Sequence, residues 1–219
     1  MSLSRTAVLR GPRKDGVATR ERILDAAQAL ILKRGFSGMT VDDVLAAVDL
    51  TKGAFFHHFR TKDDLAMALL MRFAERDAQV YRETRAHAEK LSDDPLQQLL
   101  IFVRLFEEMF DGMAQPYPGC LFASYLYELQ LFGDDTRKLI RDSFELWRGL
   151  LRDKIEAIIL KYPPQAEVNA SHLADAFTVV LEGAFITGKA MNEPQVVADQ
   201  LRLYRNYVEL LFRQPGKDR

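Results

Sequence analysis

The stretch from Thr51 to Leu65, TKGAFFHHFRTKDDL, gathers residue types that suit contact with a polyanion. Thr51 offers a hydroxyl and Lys52 a charge, and Gly53 has no side chain to hold the backbone away from a phosphate or base edge. With Thr51 as cap, a short helix begins here. The N–H groups of its first turn favour phosphate, and the helix fits the roughly 12 Å major groove of DNA. Phe55 and Phe59 stand four residues apart on one face and would anchor this helix on a core, leaving Lys52, Phe56 and His57 outward. The His57–His58 pair does not suggest zinc, because adjacent helical residues point about 100° apart and no third ligand stands nearby. One packed and one solvated imidazole is the alternative reading.

The elements that would position this stretch are legible on either side. From Thr19, Ile23, Leu24, Ala27, Leu30 and Ile31 recur at helical spacing until Gly35 stops them. Thr40 and Asp43 mark the start of a second helix, with Val41, Val44, Leu45 and Val48 as its apolar stripe, and Asp49 and Leu50 make a break. Two helices of about two turns joined so tightly are a helix-turn-helix pattern. Thr61 then caps a long helix reaching about Leu91, with Asp63 and Asp64 at its positive end. Further helices are expected over about 94–113, 120–132, 135–161 and 167–191, with a last one over about 194–213. No segment alternates with period two, so the fold class is all-α with about nine helices. Residues 1–18, with Arg5, Arg10, Arg13 and Lys14 among Gly11, Pro12 and Gly16, are expected to form a flexible basic arm that either enters a minor groove or is a solvated tail. Residues 19–62 then form the DNA-binding domain and 63–219 a larger helical domain.

The run RERILDAAQALILKRGFSGMTVDDVLAAVDLTKGAFFHHFRTKDDL resembles the N-terminal signature of the TetR family of transcriptional regulators. The resemblance implies Thr40 and Lys62 on phosphates, and Thr51, Lys52, Gly53, Phe56 and His57 at or near the groove. Phe56 stands where the family usually has Tyr, which leaves a ring contact, for example to a thymine methyl, in place of a phosphate hydrogen bond. Asp49 stands where the family commonly has Gly; Asp tolerates the left-handed conformation better than most residues. The resemblance also implies a homodimer joined through the last two helices and a repressor released from a palindromic operator by a small-molecule inducer. The fourth helix would carry the change to the reading heads.

The larger domain is rich in aromatic residues. Most are expected in the core, and a subset would line an inducer cavity. Phe106, Tyr125, Glu128, Trp147, Arg148, His172 and Glu182 are the candidates, and an apolar or aromatic inducer is the inference. Cys120 opens a helix, where the dipole would favour thiolate and electrophile or redox sensing, although free cysteines are also among the most buried residues. Ala176, Gly183, Ala184 and Gly188 would admit a partner helix closely, and Leu201, Tyr204, Val208, Leu211 and Phe212 form an apolar stripe that meets either a partner or the chain itself.

Charge and composition narrow the classes further. The chain carries 30 Lys and Arg against 31 Asp and Glu, which argues against indiscriminate coating of nucleic acid. Residues 1–65 hold 11 of the basic and 8 of the acidic residues, so the N-terminal part is positive and the remainder negative. One cysteine excludes a disulfide framework, and 48% hydrophobic residues supply a sizeable core. Neither a membrane span nor a secretion signal is expected, which places the protein in the cytoplasm. No cofactor is expected. A small helical enzyme or carrier using His172 and Glu182 is the competing class, although phosphate-loop, HExxH and nucleophile-elbow motifs are absent. A DNA-binding protein that senses no ligand is a third.

Overall fold

The computed structural model describes residues 14–213, with side chains from Gly16 onward, and its regular structure is helical throughout. The helices are α1 (Lys14–Arg34), α2 (Val41–Val48), α3 (Lys52–His58), α4 (Lys62–Leu91), α5 (Pro95–Phe110), α6 (Leu121–Leu126), α7 (Asp134–Lys161), α8 (Ala170–Met191) and α9 (Val196–Leu211). The chain divides into two compact units between Leu69 and Leu70, within α4. The division lies seven residues beyond the boundary expected at 62. Residues 14–18, expected in the basic arm, form the first turn of α1, which starts five residues before Thr19. Arg5, Arg10 and Arg13 and the side chain of Lys14 lie outside the described residues.

The first unit buries one face of each of its helices. Ile23, Leu24, Ala27 and Ile31 of α1, Val44 and Leu45 of α2, Phe55 of α3 and Leu65 and Leu69 of α4 are all buried. Chain reversals between helices are made by specific residues. Gly35 has φ 77°, a left-handed conformation that glycine adopts without a Cβ penalty. A Cβ on Gly38 would sit 2.4 Å from the Arg34 carbonyl oxygen, so only glycine fits there. Asp49 takes φ 51° and ψ 58° and closes α2 with its N–H on the Leu45 carbonyl. The turn of the helix-turn-helix is therefore made without the family's glycine. The Arg22 guanidinium donates to the Val48 carbonyl at 2.5 Å and fixes α1 to the end of α2.

In the second unit α5, α7, α8 and α9 pack around an aromatic core in which Phe102, Phe106, Trp147, Phe177 and Tyr204 are in ring contact. Glu107 on α5 is fully buried and meets Arg202 of α9 at 2.8 Å, Arg205 at 3.4 Å and Arg104 at 2.7 Å, which compensates a charge that would be costly alone. Asp94 caps α5 and accepts from Lys161 at 2.7 Å and Tyr162 at 2.5 Å. Its burial is outweighed by these bonds, which draw its pKa down to about 2.

One expectation is corrected, and one pair of alternatives is decided. The helix expected over 120–132 is broken: α6 ends at Leu126 and a 3-10 turn spans Leu129–Leu131. Tyr125 stacks on Phe132 with ring centroids 4.6 Å apart, whereas seven residues of straight α-helix rise about 10.5 Å, so the chain must fold back there. The stripe Leu201, Tyr204, Val208, Leu211 and Phe212 packs inside its own unit. Gly188 likewise serves an internal approach, since a Cβ there would lie 3.0 Å from the Glu193 carbonyl oxygen. The apolar residues that α8 and α9 leave exposed are Val179, Ile186, Met191, Leu203, Tyr207 and Leu210.

Candidate functional site

In the first unit, capping decides which surface of α3 is free. Thr51 caps the helix, its hydroxyl accepting from the Ala54 N–H at 3.3 Å. Phe55 and Phe59 are buried, as their spacing demands, while Phe56 is 55% exposed with its ring edge-on to Phe55 at 5.4 Å. Thr51, Lys52, Gly53, Phe56 and His57 lie together on the outward side. Gly53 has no positive φ, and a Cβ there would meet only the Thr51 hydroxyl at 3.9 Å. Nothing within the unit requires glycine at that position. Lys52 pairs with Asp42 at 3.0 Å, both side chains about two-thirds exposed, a contact that contributes little and opens readily.

The remaining candidates of this surface are held differently. Thr40 accepts from the Asp43 N–H at 3.1 Å and donates its hydroxyl to the Asp43 carboxylate at 2.7 Å in a capping box. Those bonds from Thr40, with Arg34 nearby, hold the Asp43 pKa below its usual value. The Lys62 ammonium donates to the Phe36 carbonyl at 2.7 Å and lies 4.1 Å from the centroid of the Phe36 ring. It thereby clamps the start of α4 to the turn after α1. His57 is exposed, whereas His58 is half-buried, and burial first, then His57 and Arg20, push its pKa down.

The second unit contains a cavity of about 50 Å³ lined by Asp77, Cys120, Phe122, Ser143, Phe144, Trp147, Phe177, Thr178, Leu181 and Glu182. Four elements build it. The buried side of α4 steps through Phe73, Asp77, Tyr81, Thr84 and Ala88, of which Asp77 lines the cavity; α7 supplies Ser143, Phe144 and Trp147; α8 supplies Phe177, Thr178, Leu181 and Glu182; the start of α6 supplies Cys120 and Phe122. The Trp147 indole N–H donates to Asp77 at 2.5 Å. Burial, opposed by that bond, raises the Asp77 pKa to about 6. Glu182 is also pushed up, by burial and then by Asp77, against a hydrogen bond from Cys120.

Of the candidates named from sequence, Trp147, Glu182 and Cys120 line this cavity. Phe106 stands behind it in ring contact with Trp147 and Phe177. Tyr125 is fully buried against Phe132, and Glu128 begins the 3-10 turn; neither lines the cavity. His172 is exposed in the first turn of α8, and Arg148 forms an exposed bidentate pair with Asp175, so His172 and Glu182 share no site. Asp77 is not among the candidates from sequence, although an aspartate at the buried step of a 73–77–81–84–88 series is a readable signal. The expectation for Cys120 is reversed: burial first and Glu182 second drive the thiol pKa up, outweighing the amides of Ala123 and Phe122 at the helix start. Among the described residues no group of three or more His, Cys, Asp or Glu side chains is placed to hold a metal, and no helix is long and apolar enough to cross a membrane.

A capped helix-turn-helix with an exposed face on its second helix, in a chain whose other unit is helical and holds a cavity of its own, is the make-up of a DNA-binding regulator. Residues 23–69 match the family model described as bacterial regulatory proteins, tetR family. The chain is 27% identical to the transcriptional regulator AcuR of Cereibacter sphaeroides, across 89% of this chain and 87% of that one. It is 41% identical to the HTH-type transcriptional repressor NemR of Escherichia coli over 54 residues, 25% of this chain and 27% of NemR. A TetR-family regulator from Agrobacterium tumefaciens shares the fold with TM-score 0.71 at 22% identity, over 88% of this chain and 98% of that structure. The reduced form of E. coli NemR does so with TM-score 0.69 at 20% identity, over 91% and 99%. Residues 23–69 thus carry the TetR-family DNA-binding segment, and over most of its length the chain is similar to a transcriptional regulator and shares the fold of TetR-family structures.

Proposed function

We propose that this regulator is a repressor that holds a palindromic operator as a homodimer and releases it when a small molecule occupies the cavity of the second unit. The observation that carries the DNA-binding part is the outward side of α3. Phe56 is exposed beside a buried Phe55, and Gly53 is open where the unit itself does not need glycine. In this reading Thr51, Lys52, Gly53, Phe56 and His57 reach the groove and its flanking phosphates. Thr40 and Lys62, placed on phosphates by the resemblance, act first as cap and clamp. Thr40 can reach phosphate only by turning its hydroxyl away from Asp43.

A dimer is favoured because one short helix reads few base pairs, while two reading heads about 34 Å apart read both halves of a palindrome. The exposed apolar residues Val179 and Ile186 of α8 and Leu203, Tyr207 and Leu210 of α9 are the surface offered for it. The effector part rests on α4, which carries Asp77 in the cavity lining and begins at the helix-turn-helix with Lys62. A ligand preferring a shifted α4 biases the reading heads only by its differential affinity for the two states.

The test is footprinting of the purified protein on fragments around its own gene, with sedimentation of the complex. Two protected half-sites a helical turn apart, bound by two chains and weakened by salt, support the reading. A single protected half-site bound by one chain contradicts it.

A further inference from the structure

The cavity has an unusual combination of walls: aromatic faces and two carboxyl groups with no cation beside them. Trp147 and Phe177 are stacked 6.0 Å apart, and Phe122 stands 4.8 Å from Phe73 and 5.9 Å from Phe144. The charge of Asp77 acts on Glu182, and no lysine or arginine is among the groups that shift either of them. Two further titratable groups respond to this pair. Tyr117, from the segment before α6, senses Cys120, Asp77 and Glu182, and Cys120 senses Glu182. The part of α7 at the cavity contributes only Ser143, Phe144 and Trp147.

The hydrogen bonds within the lining point the same way. Trp147 donates to Asp77 and Cys120 donates to Glu182. Both carboxyls are thus used as acceptors, and the lone pairs they have left call for a further donor. An anion would meet the carboxyls of Asp77 and Glu182 with no cation beside them. A neutral apolar body would fill the aromatic space and leave both carboxyls unpaired, at a cost for each. A cation satisfies both walls, because its charge is attracted to aromatic faces as well as to carboxylates. A volume of about 50 Å³ holds a group of a few heavy atoms, since one water occupies roughly 10–15 Å³ by the same measure.

We infer that the effector of this regulator carries an organic ammonium group, which the cavity takes between Asp77 and Glu182 under the faces of Trp147 and Phe177. This rests on the reading of the cavity as the effector site and adds the charge of the ligand. Occupation supplies the missing counter-charge, so a change at the ligand acts directly on Asp77 of α4 and on Glu182 of α8.

Trp147 is the single tryptophan of the chain, so its emission reports on the cavity alone. The experiment titrates the full-length protein with benzylammonium, benzyl alcohol and benzoate, which share a ring and differ in charge. Each titration is repeated with Asp77→Asn, Glu182→Gln and the double variant, with melting curves recorded to establish folding. The expected result is saturable binding of benzylammonium at least about tenfold tighter than benzyl alcohol, with benzoate weakest and the preference lost in the double variant. Equal or tighter binding of the alcohol or benzoate, or a preference that survives the double variant, overturns the ammonium assignment. Absence of benzylammonium binding overturns it too. Release of operator DNA by a neutral compound that shifts Trp147 emission would leave the effector reading standing while the ammonium assignment falls. If ligands release the DNA without shifting Trp147 emission, it is the cavity reading that fails.

Discussion

The two units use their sequences in opposite ways. In the first, the candidate functional groups stand on the outside of a small core, and that core is complete without them: Phe55 and Phe59 hold α3 while Phe56, one residue along, is exposed. In the second, Asp77, Glu182 and Cys120 are inside, among aromatic rings that also stabilise the unit. A surface site can therefore be altered at little structural cost, whereas an internal one carries groups that oppose folding and are retained despite that cost.

The largest effect that would sharpen this contrast is expected at Phe55. Phe55→Ala leaves a void under α3 and should cost about 3–5 kcal/mol in denaturant unfolding of the first unit, with DNA binding lost as a consequence. Phe56→Ala should weaken DNA binding while changing stability by no more than about 0.5 kcal/mol. Similar stability losses for the two would break the distinction between anchor and reader. In the second unit, Glu107→Gln removes a buried charge facing three arginines and should cost about 3 kcal/mol in the same measurement.

The cavity carboxyls predict a gain. Asp77 has a folded-state pKa of about 6, above its unfolded value, so the native state retains the proton and stability is lost as pH rises from about 4 through 6. Asp77→Asn should therefore raise the melting temperature at pH 7.5, by a stability of about 1–3 kcal/mol, and leave it unchanged near pH 4. A variant less stable than wild type at pH 7.5 would show that Asp77 is compensated inside the unit. The smallest effect is at the cap: Thr40→Ala should cost about 1 kcal/mol. For Asp43, whose pKa is lowered, the capping contribution is present at neutral pH and fades as the solution is acidified through the folded pKa. Thermal melts from pH 7 to 3 would show the difference between wild type and Thr40→Ala shrinking.

How far the molecule could be read from its sequence follows the same division. Helix caps and breaks are local, so Thr40, Asp49, Thr51 and Thr61 located the helix-turn-helix and the start of α4 to within a residue. The cavity draws its lining from four elements, and its composition depends on which faces meet. Trp147 and Glu182 are legible from residue type and from the apolar segments that hold them, whereas Asp77 is hidden in a helix whose polar residues are otherwise mostly outward. Cys120 shows a local rule overridden, because the helix-start amides are outweighed by burial and by Glu182. The break after Leu126 has no Gly or Pro to announce it; the stacking of Tyr125 on Phe132 is a tertiary cause. The α9 stripe was visible at helical spacing, but spacing alone does not say whether its partner is the same chain or another.

The most direct test of the central claim is selection of genomic fragments by the purified protein at two salt concentrations, beside a Lys52→Ala, Phe56→Ala variant that keeps the buried anchors. The account predicts that the wild-type protein selects a palindromic sequence, that affinity falls with salt, and that the variant retains its melting temperature and loses the selection. A folded wild-type dimer that enriches no sequence, or a variant that enriches the same one equally well, would contradict the assignment of α3 as the reader of DNA.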